Sequence, residues 1–340
     1  MILAALLSAV VAGGLAGWAA WSGPVDAPRA RGMHVDPTPT AGGLAVLAAV
    51  CAAVLAYMAG NPGAAGASAT LGALALMGGL GLLGALDDAI DIGPRVKLAA
   101  QALGGLLFAL LVARTDLLPL APGVALHLPL IVGVLGTALW LVVVVNAYNF
   151  MDGADGLAVG VQSIALFTLA LGSAGRPLLA FTLLAASIAN LAFLPFNHPG
   201  RRLFQGDCGA MGSAALIGAA SVLLARGPAP ASAMYLAVFV SAPLLTDVLL
   251  TLAMRARARE SLWRPHKQHL YQRWLAATGH SHGALAWRVW ALCAACALFG
   301  YVVIERASDW AFAALAAVIV ALSAGWVLLG RRLARPTPAG

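Results

Sequence analysis

Seven of the thirteen acidic residues lie beside apolar runs of membrane-spanning length, six of them in three short, turn-prone clusters. The clusters are Asp87-Asp88-Ala89-Ile90-Asp91, the stretch from Asn146 to Gly156 that carries Asp152 and Asp155, and Gly206-Asp207-Cys208-Gly209. The seventh acid, Asp247, sits near the end of a later apolar run. Carboxylates near hydrocarbon are costly, so several at one membrane depth point to a site that uses them. Oxygen-rich groups of this kind hold a hard divalent cation without thiols. The chemistry that suits them is the handling of a diphosphate.

Each cluster has its own logic. Asp87 and Asp91 are four residues apart and share a face if the helix continues through them, where like charges repel unless a cation or proton intervenes. One acid would suffice to end a span; three, with Lys97 opening the next one, exceed that need. Lys97 can hold a phosphate as a point charge, whereas Arg95, beside Pro94, marks the membrane boundary. Asn146, Asn149, Asp152 and Asp155 recur at steps of three and continue the apolar run Leu139–Val145 as a polar edge. Gly153 and Gly156 loosen the backbone there. Two carboxamides and two carboxylates can address a nucleotide base, a sugar or a metal.

Gly206-Asp207-Cys208-Gly209 immediately precedes a new span, which puts Asp207 near a helix N-terminus, an end that favours anions. The loop from Arg264 to Arg273 gathers His266, Lys267, His269 and Arg273, donors fit for a diphosphate or sugar hydroxyls. The same loop also reads as a basic amphipathic helix on anionic lipid, with Trp263, Leu270, Tyr271 and Trp274 as its apolar side. His280 and His282 read as a turn and cap before the next span. His34, His127 and His198 stand alone. Cys293 and Cys296 lie mid-span between alanines, where close helix packing explains small residues better than thiol chemistry.

The elements that must position these groups are membrane helices. The chain has 340 residues, 61% of them hydrophobic and only 10% charged, against about 25% charged in a soluble domain. Apolar runs fall at 2–21, 43–60, 68–86, 97–113, 126–145, 157–172, 178–194, 209–225, 233–254, 286–304 and 310–330. They predict an all-α polytopic protein of about eleven transmembrane helices, ten being the alternative count, as a single domain over residues 1–340. Residues 1–21 lack a basic leader and are expected to remain as the first helix. With the N-terminus outside and the C-terminus inside, 16 of the 20 Lys and Arg residues fall on the cytoplasmic side, as the positive-inside rule demands. The net charge of +7 is thereby accounted for by topology and headgroup contact, with no nucleic acid involved. Nearly all reactive residues fall in the inner segments 22–42, 87–97, 146–156, 195–209 and 255–286. A transporter would carry its ionisable groups near the midplane.

In this order and between these spans, the clusters resemble the polyprenyl-phosphate N-acetylhexosamine-1-phosphate transferases, the superfamily that includes the muramoyl-pentapeptide translocase. The resemblance runs from about Met33 to Arg273. It rests on Pro37-Thr38-Pro39-Thr40-Ala41-Gly42-Gly43, Asp87-Asp88-x-x-Asp91 with Lys97, Asn146-x-x-Asn149-x-x-Asp152-Gly153-x-Asp155-Gly156-Leu157, Phe196-Asn197 through Gly206-Asp207, and His266-x-x-His269. It implies transfer of a sugar-1-phosphate from a UDP-N-acetylhexosamine to undecaprenyl or another polyprenyl phosphate, with release of UMP, at the cytoplasmic face of a bacterial inner membrane.

By the same resemblance Mg²⁺, or Mn²⁺ in its place, is held by Asn149 and Asp207. Asp87 and Asp88 hold or deprotonate the lipid phosphate, and Asp207 is catalytic as well. Lys97 neutralises phosphate charge; Asn146, Asp152 and Asp155 shape the nucleotide pocket; His266, His269 and Arg273 lie over the diphosphate and sugar. A homodimer is compatible with the family. The translocase branch carries a lysine before its Thr-Pro-Thr segment, where Asp36 and Pro37 stand here, and its last loop is denser in histidine. Those departures favour the branch that initiates O-antigen and other lipopolysaccharide-like chains. The phospho-N-acetylmuramoyl-pentapeptide transferase is the runner-up, ahead of a non-enzymatic transporter of lipid-linked sugars. Cys208 takes a place usually held by Ser or Ala, and its size fits.

Overall fold

A computed structural model describes residues 2–23, 25–26, 38–63, 67–198, 202–262, 264 and 266–334. Met33, His34, Asp36, Pro37 and Trp263, named above, lie outside the described residues.

Among the described residues twelve α-helices follow in chain order: α1 (Ile2–Ser22), α2 (Gly42–Gly60), α3 (Ala67–Ile90), α4 (Pro94–Leu111), α5 (Leu130–Met151), α6 (Leu157–Leu171), α7 (Pro177–Asn197), α8 (Gly206–Leu224), α9 (Tyr235–Arg257), α10 (Leu270–Thr278), α11 (His282–Ala307) and α12 (Ala311–Leu333). Each of the eleven apolar runs lies on one of them, and the nine-residue α10 is the addition. Among the described residues, nine segments are long and apolar enough to cross a membrane; the last, His282–Leu333, contains both α11 and α12. Helix α6, with 15 residues, is shorter. Helices satisfy every backbone group internally, which is why such a sequence adopts them in lipid.

The fifth span begins later than its hydropathy suggests. Val124–His127 pairs as a strand with Leu117–Ala121, and Pro129 then opens α5. This antiparallel hairpin turns at Gly123, whose φ is +69°. A second two-residue pairing joins Val25–Asp26 to Thr38–Pro39.

Helix α8 is the axis. From Cys208 to Leu224 every residue is buried, and α2, α3, α5, α6, α7 and α9 pack around it. Its first half is rich in Gly, Ala and Ser, the composition that lets membrane helices approach closely. Gly84 of α3 meets the backbone of Asp207 so closely that any Cβ there would overlap it. Helices α1 and α12 lie at the edge and keep large apolar side chains such as Leu3, Val10, Val320 and Leu328 on the outside. In water that exposure would be prohibitive; against lipid tails it is the expected surface.

Candidate active site

The site forms where the last turns of α3 and α5 meet the first turns of α4 and α8. Gly206 starts α8 with a φ of +63°, a conformation glycine adopts without strain, and a Cβ there would strike the Asp88 carboxylate. Asp88, at the end of α3, receives the backbone N–H of Asp207 on Oδ1 (3.1 Å) and of Cys208 on Oδ2 (3.4 Å). It thus supplies the capping oxygens that the first turn of α8 would otherwise lack.

Asp207 projects from that first turn. Its Oδ2 lies 2.5 Å from Lys97 Nζ, and its Oδ1 accepts from Asn149 Nδ2 at 2.8 Å. The same ammonium donates to Asp87 Oδ2 at 2.8 Å. One cation therefore sits between carboxylates from two helices, with a carboxamide from a third on the other oxygen of Asp207. Asp87 Oδ1 is buried and has no hydrogen-bond partner. Asp152 follows the end of α5 and accepts from Gln205 Nε2 at 2.7 Å, two residues before Asp207. Burial pushes the Asp152 carboxyl well above the usual carboxylate range; the Gln205 hydrogen bond opposes this, and the nearby Asp207, Asp88 and Asp155 charges add to it. Asp88, Asp152 and Asp207 thus meet at one end of the bundle.

Other expected residues are placed differently. Helix α3 stops at Ile90, and Asp91 is exposed with a left-handed φ of +51°, so it does not share a helical face with Asp87. Asn146 turns toward α4, donating to Gln101 Oε1 at 2.6 Å and to Val142 O at 2.8 Å. Asp155 pairs with His282 (Oδ1 to Nδ1, 3.2 Å) at the head of α11. The adjoining Gly156 N–H donates to Asn197 Oδ1 at 2.7 Å, and Trp290 Nε1 donates to the Gly156 carbonyl at 3.2 Å. Asp155 therefore fastens the loop to α11, and Gly156 fastens it to α7 as well. His282 is more than a cap, although the neighbouring Ser281 does cap α11 through Ala284 N.

The histidine loop reaches the carboxylates' neighbourhood through α5. His269 lies 6.0 Å, ring to ring, from Phe150 and 4.8 Å from His266. Tyr271 donates its hydroxyl to Phe150 O at 3.2 Å, over a Gly153 that has no room for a Cβ. His269 is 3% exposed. Burial lowers its pKa to about 4, aided by His266 and Arg255 and opposed by Asp247. Burial lowers that of His266 as well. His269 is therefore a neutral imidazole at physiological pH, a hydrogen-bonding group and no counter-charge. Arg273 does not join the cluster: its Nη2 donates to Gly330 O of α12 at 2.8 Å. Asp247 does not join it either, being directed to the head of α10.

This arrangement suits a hard cation and a phosphate. Asp207, Asp87 and the carboxamide oxygen of Asn149 offer oxygen donors only, the place already accommodates the Lys97 ammonium, and the orphaned Asp87 oxygen is available to a further ligand. Oxygen donors are the type a magnesium ion takes, while among the described residues no three His, Cys, Asp or Glu side chains are gathered into a metal cage. Sequence reasoning missed Gln205, Gln101 and His282. The first adjoins the Gly206-Asp207 motif, which was a usable signal; the other two offered none.

Residues 70–225 match the family model described as glycosyl transferase family 4. The chain is 31% identical over 324 residues to the decaprenyl-phosphate N-acetylglucosaminephosphotransferase of Mycolicibacterium smegmatis, covering 83% of this chain and 77% of that one. It is 27% identical over 265 residues to the probable undecaprenyl-phosphate N-acetylglucosaminyl 1-phosphate transferase of Bacillus subtilis, covering 76% and 72%. Similarity to the phospho-N-acetylmuramoyl-pentapeptide-transferase of Streptococcus pneumoniae, 33% identical, extends over only 39% of this chain and 41% of that one.

Proposed function

The chain belongs to glycosyl transferase family 4, and on that premise we propose that it transfers N-acetylglucosamine-1-phosphate, or a closely related N-acetylhexosamine-1-phosphate, from a UDP-sugar to a polyprenyl phosphate. The observation that carries this reading is the convergence of Asp87, Lys97, Asn149 and Asp207 at the head of one buried helix. The extensive matches to proteins named for N-acetylglucosamine phosphotransfer support the sugar class, and the short match to a muramoyl-pentapeptide transferase disfavours the runner-up. The product would begin a cell-surface polysaccharide, of O-antigen type in the sequence reading.

The lipid acceptor stays in the bilayer and the nucleotide sugar stays in water, so the reaction belongs at the surface, here the cytoplasmic one. An oxygen of the polyprenyl phosphate attacks the sugar-bearing phosphorus. A new P–O–P bridge forms, the bond to the uridylyl phosphate breaks, and UMP leaves with the bridging oxygen. Bound at Asp207, Asp87 and Asn149, Mg²⁺ would spread the charge that moves onto the leaving phosphate. Lys97 offsets the charge of the incoming phosphate. Asp87, with an uncommitted oxygen, takes the acceptor's proton when it arrives as the monoanion. Asp88, with both oxygens on the α8 backbone, holds the helix end in place. His266 and His269 face the donor as neutral donors or acceptors, while Asp152 and Asp155 shape the loop against which the nucleotide rests.

The test is UMP release by purified protein in lipid nanodiscs given undecaprenyl phosphate and UDP-N-acetylglucosamine, with other UDP-sugars substituted in turn. Release that requires both substrates and yields a lipid-linked sugar diphosphate is the expected result. Release without lipid, or none with any donor, contradicts the proposal.

A further inference from the structure

Asp247, like Asp88, has both carboxylate oxygens committed to holding another element, but it lies away from the carboxylate cluster. It lies within α9, ten residues before that helix ends at Arg257, and is 6% exposed. Its Oδ1 accepts from Leu270 N at 2.7 Å, Trp326 Nε1 at 3.0 Å and Thr251 Oγ1 at 3.2 Å. Its Oδ2 accepts from Tyr271 N at 3.2 Å. These donors are two backbone amides, an indole and a hydroxyl, none of them charged. A buried carboxylate satisfied in this way depends on every one of them, because losing partners leaves an uncompensated charge in low dielectric.

Leu270 and Tyr271 open α10, whose first-turn amides have no intrahelical acceptor. His269 is the residue just before α10 and adds a reciprocal cap with Gln272. The loop's other end is tied as well: Arg255 donates to Ser261 O at 2.6 Å and pairs with Glu260 at 2.8 Å, and Gln268 reaches Glu260 at 3.1 Å. The short segment bearing His266 and His269 is thus stretched between two anchors. The deeper one is Asp247, and through Trp326 and the Arg273–Gly330 hydrogen bond it engages α12. His269 and Tyr271 reach Phe150 and Gly153, which lie in the chain between Asn149 and Asp155.

We propose that Asp247 is a positioning residue for the donor half of the reaction. It sets the depth of His266 and His269 over the nucleotide sugar, and α12 belongs to this device by way of Trp326. The inference rests on the function proposed above. It assigns α12, which carries none of the family motifs, a place in donor binding.

The experiment is a pair of variants with both Michaelis constants measured. Asp247→Asn replaces one acceptor oxygen by an N–H₂ that faces backbone donors, and Trp326→Phe removes a single donor while conserving bulk. Asp247→Asn is expected to raise the UDP-sugar KM at least tenfold and Trp326→Phe about threefold, with the polyprenyl-phosphate KM within twofold of wild type in both. Amide hydrogen exchange across residues 266–275 should quicken in the same order. Should Asp247→Asn fail to insert, Trp326→Phe alone decides. Equal rises in both KM values, or a loss of kcat with both KM values unmoved, would show a merely structural role and overturn the inference. An active wild type whose variants keep the normal donor KM overturns it alone, whereas a wild type that releases no UMP from any donor overturns the parent reading with it.

Discussion

The carboxylate cluster and the histidine loop lie at the same end of the bundle but are built on opposite plans. The cluster is made by close backbone approach: Gly84 and Gly206 let α3 and α8 touch, and Asp88, Asp207, Lys97 and Asn149 then meet directly. The histidine loop is suspended from distant anchors: Leu270 and Tyr271, next to His269, are held by Asp247 of α9, which Trp326 of α12 also engages, and the His269 ring lies near Phe150 of α5. Charge gathers in the first region, whereas burial keeps the imidazoles of the second neutral. A site built on rigid helix ends suits the step in which charge moves, and a suspended loop suits recognition of a substrate that must enter and leave.

The comparison breaks most sharply at Asp207. Asp207→Asn should cut UMP release by about a thousandfold, the scale expected when a group stabilising transition-state charge is lost, with membrane-inserted protein unchanged on a blot. Substantial residual release would move the chemistry elsewhere. Gly84→Ala comes next. Its methyl must displace the first turn of α8, and a loss of about a hundredfold in kcat is expected together with a lower melting temperature; a silent Gly84→Ala would show that the close approach is dispensable.

On the histidine side the effects shrink. The His269 pKa is about 4 in the folded protein against an ordinary 6.5, so between those values the unfolded chain binds the extra proton. Stability should be full above pH 6.5 and fall as pH drops toward 4, and this slope should flatten in His269→Gln when melting is followed in nanodiscs. Tyr271→Phe removes only the hydroxyl that reaches Phe150 O. Its expected effect is a roughly threefold rise in donor KM, in line with the loss of about one hydrogen bond.

Much of the architecture was legible because hydropathy reports burial in lipid directly. All eleven apolar runs lie on helices; several helices extend past their runs, as α3 does to Ile90 and α11 does from His282, whereas α5 opens late because residues 124–127 pair as a strand. The Asp87, Asn149, Lys97 and Asp207 convergence was legible from residue type and turn chemistry. What escaped the sequence was long-range satisfaction. Asp247 finds Trp326 79 residues away, and Asp155 finds His282 127 residues away, where the same contact region includes a backbone hydrogen bond. Asp88 reads as a free acid until the end of α8 arrives to occupy both oxygens. Arg273 reads as a phosphate ligand until Gly330 proves to be its partner. No local pattern encodes such pairings.

The most direct test of the division between the two regions is Mn²⁺ binding to purified protein in the presence of UMP, followed by electron paramagnetic resonance. Wild type and His269→Gln should both bind the ion, and Asp207→Asn should lose it. Mn²⁺ binding that survives Asp207→Asn, or that vanishes in His269→Gln, would contradict the account.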